Sequence, residues 1–287
     1  MKPNVLERLR KNELVADSDK QAFYRFYDIA NQVEFGKIAP RQEGYIFKNI
    51  KGARCTSVLQ MDGSKAAALM EWAKRQVADR IYKELEDRII HDSKFLSTDE
   101  VYNICQLGLM DPDRQKDEAA DAGTTEHDNV ENWLTGGEYA ETEGLKAFKE
   151  AWARSGLVCV ATEIPLIYRD FESGYAFGGR ADILAYDPIE KRFVLGDNKT
   201  SRSVHESYAC QLSGYSRAIR QMSKGDISPD TGFIFHIPRL ESLNERQKKE
   251  YDKRGSLIKI EECKMDEAFG HFRLLLGLYY MRNNKYF

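Results

Sequence analysis

The sequence predicts an α/β fold built on a mixed sheet, and three observations carry that expectation. Three consecutive strand-like segments, "LVCVATEIPLIY", "YAFGGRADILAYD" and "KRFVLGDNKTS", form a meander. Helix-period segments stand before and after it, and a further strand, "TGFIFHIP", follows the second helix. An order of helix, meander, helix and strand calls for antiparallel and parallel neighbours in one sheet, with helices over it. At 287 residues and 42% hydrophobic, the chain supplies a core for one large domain, or one domain with a helical annex.

Residues 1 to about 120 read as mainly helical. "SKAAALMEWAKRQVADRIYKELEDRII" carries Leu69, Trp72, Val77, Ile81 and Leu85 at roughly helical spacing. Residues 92 to 120 are polar and irregular, with "MDPDRQKDEAADAG" expected as a loop running into a helix. "GTTEHDNVENWLTGG" reads as a short capped helix, with Thr125 as N-cap, Asp128 three residues on, and Gly136 and Gly137 as its stop. "YAETEGLKAFKEAWARSG" is amphipathic, placing Leu145, Phe148 and Trp152 on one face and Gly156 at its end.

In the meander, Pro165 breaks the first strand and "DPIEK" makes the turn between the second and third. "VHESYACQLSGYSRAIRQM" returns to the helical period, "SLIKIEEC" reads as a late strand, and "MDEAFGHFRLLLGLYYMRNN" closes the chain as an apolar helix. The expected division is a helical N-terminal region, 1–120, and an α/β core, 121–287.

Composition excludes several classes. No run of 18 apolar residues occurs, so no membrane helix is expected, and the charged N-terminus lacks the apolar stretch of a secretory signal. The five cysteines, Cys55, Cys105, Cys159, Cys210 and Cys263, are scattered and no CxxC occurs, which predicts reduced thiols in the cytoplasm and no zinc or iron–sulfur centre. The net charge is −3, unevenly spread: eleven acids face two bases from Asp111 to Glu143, and eleven bases face seven acids from Met1 to Arg54. Either run is a solvated face, or the balance is that of a nucleic-acid enzyme with catalytic carboxylates.

The meander contains the chemistry. Asp197 and Lys199 are two residues apart on one strand, so they share a face, with Cα atoms roughly 6.5–7 Å apart. Asp182 lies on the adjacent strand and can face them. Two close carboxylates repel, and a divalent cation removes that conflict. Oxygen ligands suit Mg²⁺ or Mn²⁺, which bind phosphate oxygens and acidify a bound water, while Lys199 meets charge building on phosphorus. That combination cuts phosphodiesters. The plainer reading is a buried Asp197–Lys199 ion pair with Asp182 as a turn residue.

With their neighbours, these residues resemble the PD-(D/E)XK nuclease superfamily, and more closely its RecB-like exonucleases of the phage type. The resemblance spans roughly Cys55 to Arg220. "CTSVLQMDGSKAAALMEWAKRQVADRI" is similar to the family's S-V-T…L…W segment, and "GTTEH" to its G-T-x-x-H helix, which marks His127. "ATEIPLIY" is similar to the strand bearing an acid, Glu163. "GGRADILA" matches G-x-x-D at Asp182, "GDNKTS" matches D-x-K-T-S at Asp197 and Lys199, and "QLSGY" matches Q-x-x-x-Y at Gln211 and Tyr215. Asn198, in a strand that also carries Gly196 before Asp197, departs from the aromatic or aliphatic residue usual between Asp and Lys.

The resemblance implies a restriction-endonuclease-like core, a mixed central sheet flanked by helices, with an N-terminal helical region. It implies DNA hydrolysis with Mg²⁺ or Mn²⁺, usually from ends, in recombination or repair. Metal ligands would be His127, Asp182, Asp197 and the Asn198 carbonyl. Lys199 would assist the nucleophile, Glu163 would be an additional acid, and Gln211 and Tyr215 would brace the site or touch DNA. A single-strand annealing protein would be a partner; the oligomeric state stays open. No G-x-x-x-x-G-K-[ST] pattern occurs, so the chain is no helicase motor. "YIFKNIKGARCTS" interleaves Tyr45 and Phe47 with Lys48, Lys51 and Arg54, a mix that suits backbone neutralisation with base stacking and equally suits an exposed hairpin. "NERQKKEYDKRGS" is a second basic candidate. An endonuclease with the same site and a non-catalytic DNA-binding protein remain alternatives.

Overall fold

The structure, a computed structural model, describes residues 3–91, 95–239, 248 and 256–283. The chain divides into two compact units, Met1–Met61 with Glu126–Phe287, and Asp62–Thr125. The first 61 residues therefore belong with the core rather than with a helical region ending near 120, a different division from the one expected.

The larger unit begins with α1 (Pro3–Lys11) and α2 (Asp17–Ala30), followed by three short strands, β1 (Glu34–Ala39), β2 (Gln42–Phe47) and β3 (Ile50–Arg54). The region before residue 120 is mainly helical as expected, and these three short strands are its exception. They lack the clean alternation that marks half-buried strands, since only Gly44, Gly52 and Ala53 are buried. A short α3 (Cys55–Leu59) follows.

The chain then forms the smaller unit. α4 (Ser64–Glu86) runs into a π-helical turn (Asp87–His91). The loop expected before residue 120 is instead part of α5 (Thr98–Thr135), a continuous helix that carries Pro112 inside it. Local pairs hold this polar stretch: Arg114 bonds Asp111 at 2.5 Å and Glu118 at 2.7 Å, and Gln115 bonds Gln76 of α4 at 2.8 Å. Thr125 is no N-cap; its hydroxyl donates to the Asp121 carbonyl one turn back.

From Glu126 onward α5 belongs to the larger unit. α6 (Glu143–Ser155) starts at Thr142, whose side chain accepts from the Leu145 amide at 3.0 Å, and ends at Gly156 with φ 66°. β4 (Val158–Arg169), β5 (Ala176–Asp187) and β6 (Arg192–Lys199) are the antiparallel meander. β4 is not broken at Pro165; Pro165 pairs with Arg180 on a strand whose one mapped neighbour is β5, where a missing amide donor is tolerated. α7 (Glu206–Met222) crosses to β7 (Gly232–His236), parallel to β6, and β8 (Ser256–Ile260) and α8 (Glu262–Asn283) complete the described chain.

The sheet runs β1-β2-β3-β5-β6-β7-β8, with β4 paired to β5. β5 is its hub. One edge pairs with β4 almost end to end. The other pairs with β3 only at Phe177 and Gly178, then with β6 from Ile183 to Asp187. The sheet forks over residues 179–182. Alternate side chains feed two cores. Leu184, Tyr186 and Leu195 pack with Phe26, Leu212, Ile219 and Phe272, while Ile183, Ala185 and Val194 pack with Val130, Leu134, Phe148 and Phe235. Helices cover both faces, which is why β6 reads as an almost unbroken buried run. The larger unit is thus α/β with an eight-stranded mixed sheet.

Candidate functional site

The fork places three acids in a row across three strands. On β4, Glu163 lies between the Thr162–Ile183 and Ile164–Ala181 pairs, at the level of Asp182. On β6, Asp197 lies one step beyond the Ile183–Gly196 pair, again at the level of Asp182. From there β6 pairs with β7 only, so Asp197, Asn198 and Lys199 leave the β5 ladder. Glu163 has φ 49°, a left-handed backbone unusual in a strand and for a residue with a side chain.

α5 brings His127 to this row. His127 Nδ1 stands 3.5 Å from Asp182 Oδ2. Ligand atoms of His127, Glu163 and Asp182 all lie within 4.8 Å of one another. Lys199 Nζ donates to Asp197 Oδ1 at 2.7 Å, and sits 2.7 Å from Oδ2 outside hydrogen-bond geometry. Asp182 Oδ2, Asp197 Oδ2 and Asn198 Oδ1 are buried without a hydrogen-bond partner. Lys199 also lies over the Tyr208 ring, 5.2 Å from its centre, and Tyr208 donates to Ser201.

Burial governs the electrostatics. It raises the Asp182 carboxyl above its ordinary value, against the pull of Lys199. It raises Asp197 likewise, with Asp182 adding to the rise and Lys199 opposing it. Burial alone would lower Lys199, but Asp197 and Asp182 more than offset it and hold the ammonium above its ordinary value. Burial, then Lys199, lowers His127, which keeps the imidazole neutral and its lone pair available. Burial raises Glu163, with Arg180 opposing.

These residues fit a divalent cation. A neutral imidazole and clustered carboxylates form a donor set suited to Mn²⁺ or Mg²⁺, and the buried Asp182 Oδ2 has no hydrogen-bond partner. The residues that cluster most tightly are His127, Glu163 and Asp182, while Asp197, also expected as a ligand, is paired with the Lys199 ammonium. The Asn198 main chain favours the charged form of both neighbours, raising His127 and lowering Asp182 as minor influences against burial.

Tyr215 and Gln211 stand on α7, with Gln211 Nε2 donating to the Tyr215 hydroxyl at 3.3 Å. A Cβ on Gly179 would meet the Tyr215 ring at 2.4 Å, so the tyrosine is wedged against the fork. Tyr215 is buried, which corrects the idea that it touches DNA and leaves it a bracing role. Lys48 and Lys51 are exposed around the β2–β3 turn, where Lys48 lies over Phe47. Arg54, at the end of β3, lies over the Phe35 ring and meets Glu43 at 3.5 Å. "NERQKKEYDKRGS" lies almost wholly outside the described residues.

Three neighbours escaped the sequence reading. Arg180 reaches Glu163 at 3.5 Å. Glu131, which accepts from Thr162 at 3.4 Å, adds its charge beside Glu163. Tyr208 lies under Lys199. Glu131 was findable, since it follows His127 by four residues on one helix. No protein-family model matches the chain, and no curated protein matches its sequence.

Proposed function

We propose that the chain is a divalent-metal-dependent deoxyribonuclease, acting from DNA ends, and that its larger unit is a PD-(D/E)XK-type core. The observation that carries this reading is the convergence of His127, Glu163 and Asp182 beside the Asp197–Lys199 pair at the fork of the sheet. His127, Glu163 and Asp182 would hold the cation, with Asp197 close enough to Asp182 to share its charge. A bound Mg²⁺ or Mn²⁺ acidifies a coordinated water and screens the phosphate.

Lys199 then has a defined duty. Its raised pKa keeps it cationic, so it cannot act as the base. It steadies the attacking water or meets the charge that gathers on the phosphate oxygens as the P–O bond breaks. Asp197 and the Tyr208 ring hold it in place. Tyr215, bonded to Gln211 and pressed against Gly179, fixes the strand that carries Asp182. In recombination or repair the single strands produced would pass to an annealing partner, as in the phage enzymes this sequence resembles.

Digestion of linear duplex DNA beside a covalently closed circle, with Mn²⁺, tests the reading. Loss of the linear DNA alone is expected. Cutting of the circle moves the assignment to an endonuclease with the same residues. Binding without cutting of either, in Mg²⁺ or Mn²⁺, overturns the reading in favour of a DNA-binding protein.

A further inference from the structure

The β1–β3 strands, α3 and the end of α8 line an open cavity of about 630 Å³. Its lining includes Lys37, Arg41, Arg54 and Arg282, with Glu43 as its one acid. Four cations to one carboxylate make a site for polyanions. Its size falls within the range of ordinary small-ligand pockets.

A line of contacts joins the cavity to the acidic row. The Arg54 guanidinium lies over the Phe35 ring, 5.4 Å from its centre. Phe35 meets Tyr45 edge-on at 5.4 Å. Tyr45 backs onto β5 so closely that a Cβ on Gly178 would meet its Cβ at 2.2 Å. Two residues along β5, Arg180 reaches Glu163 at 3.5 Å. Phe35 is 49% exposed, and the Arg54 and Arg180 side chains are 47% and 52% exposed. Arg54 meets Glu43 only at 3.5 Å, a surface pair that a phosphate displaces at little cost.

Cations alternating with the half-exposed Phe35 ring match the repeat of an unpaired strand, phosphate then base. A duplex offers no base face for Phe35 to stack on. We propose that a single strand of nucleic acid runs from the His127–Glu163–Asp182 cluster over Arg180, Tyr45 and Phe35 into the cavity lined by Arg54, Arg41, Lys37 and Arg282. This path rests on the nuclease reading for its direction toward the cluster, while strand binding is measurable without turnover.

The test is fluorescence anisotropy of a labelled oligothymidylate of about 20 nucleotides, a length that covers the 4–16 nucleotide footprints typical of strand-binding grooves. EDTA prevents cutting, and the full chain is used throughout. Arg41 and Arg282 are exposed, so Arg41→Glu with Arg282→Glu should leave the fold intact, checked by circular dichroism. The double variant is expected to bind at least tenfold more weakly. Its slope of log affinity against log salt should fall by about 1.4, two phosphate contacts at roughly 0.7 each. Phe35→Ala should weaken binding about tenfold through lost stacking. Lys191→Glu, in the β5–β6 turn away from the path, should change nothing. Wild-type affinity in the Arg and Phe variants, an equal loss in Lys191→Glu, or no binding by the wild-type protein overturns the path. Wild-type cutting of linear DNA with unaltered variant binding would remove the path and keep the nuclease. Variant binding losses with no metal-dependent cutting would keep the path and remove the nuclease.

Discussion

At the scale of the residue, Lys199 and Asp182 divide the electrostatic work. Lys199 is held as a cation by two buried carboxylates, and under the proposed nuclease reading its substitution would remove charge from the reacting phosphate. Lys199→Ala is expected to lower the single-turnover cleavage rate by about 10²-fold or more, the usual cost of losing one preorganised charge; a rate within threefold of wild type on a duplex substrate would remove Lys199 from the reaction. Asp182 is a liability without metal. Its carboxyl and that of Asp197 are raised in the fold, so the native state keeps protons that the unfolded chain releases. Stability of the metal-free protein therefore falls as pH rises from the ordinary value of 3.8 through the folded values, with Asp197 setting the upper edge at about 7. Asp182→Asn removes the repulsion. Thermal melts in EDTA should show the variant gaining on wild type between pH 5 and pH 7; a difference that stays flat or shrinks contradicts the shared burial of these carboxylates.

At the scale of the element, β4 and β5 carry features that fold only around a site. Glu163 holds a left-handed backbone in mid-strand, where glycine is cheaper than any residue with a Cβ. Glu163→Gly is accordingly expected to be more stable than Glu163→Ala by about 1 kcal/mol in chemical denaturation, both having lost the carboxylate; the opposite order would mean that the positive φ is absent in solution. Gly179→Ala drives a methyl into the Tyr215 ring and should cost about 1–3 kcal/mol, with activity lost in parallel. An unchanged melt would deny the wedge. The meander, α6 and α7 were legible because alternation, a Thr cap and the helical period all spoke with one voice there. α5 was not. Its middle is polar on every face, and Pro112 and Thr125 are ordinary stop and start signals overridden by local pairs such as Arg114–Glu118. β1 was missed, being short and half-exposed, whereas the β2–β3 pair is the hairpin that "YIFKNIKGARCTS" allowed.

At the scale of the whole molecule, the residues gathered at the site come from α5, β4, β5 and β6, and the fork in the sheet brings them together. Sequence spacing placed Asp182, Asp197 and Lys199 on neighbouring strands. It could not show that Glu163 lies closest to His127 and Asp182 while Asp197 pairs with Lys199, because the left-handed backbone at Glu163 is encoded by no local pattern. A cation that binds only the native fold stabilises it by mass action, about 2.7 kcal/mol at a hundred times its dissociation constant. Mn²⁺ should therefore raise the melting temperature of wild type, and Asp182→Asn should abolish the rise; equal shifts in both would place the metal elsewhere.

The measurement that bears most directly on the central claim is a cleavage time course on a linear duplex labelled separately at its 5′ and 3′ ends. Wild-type and Lys199→Ala proteins are compared at equal concentration, in Mn²⁺ and in EDTA. The account predicts release of label by wild type with Mn²⁺ alone, and about 10²-fold slower release by a folded Lys199→Ala. Release in EDTA, or equal release by the two proteins, would contradict it.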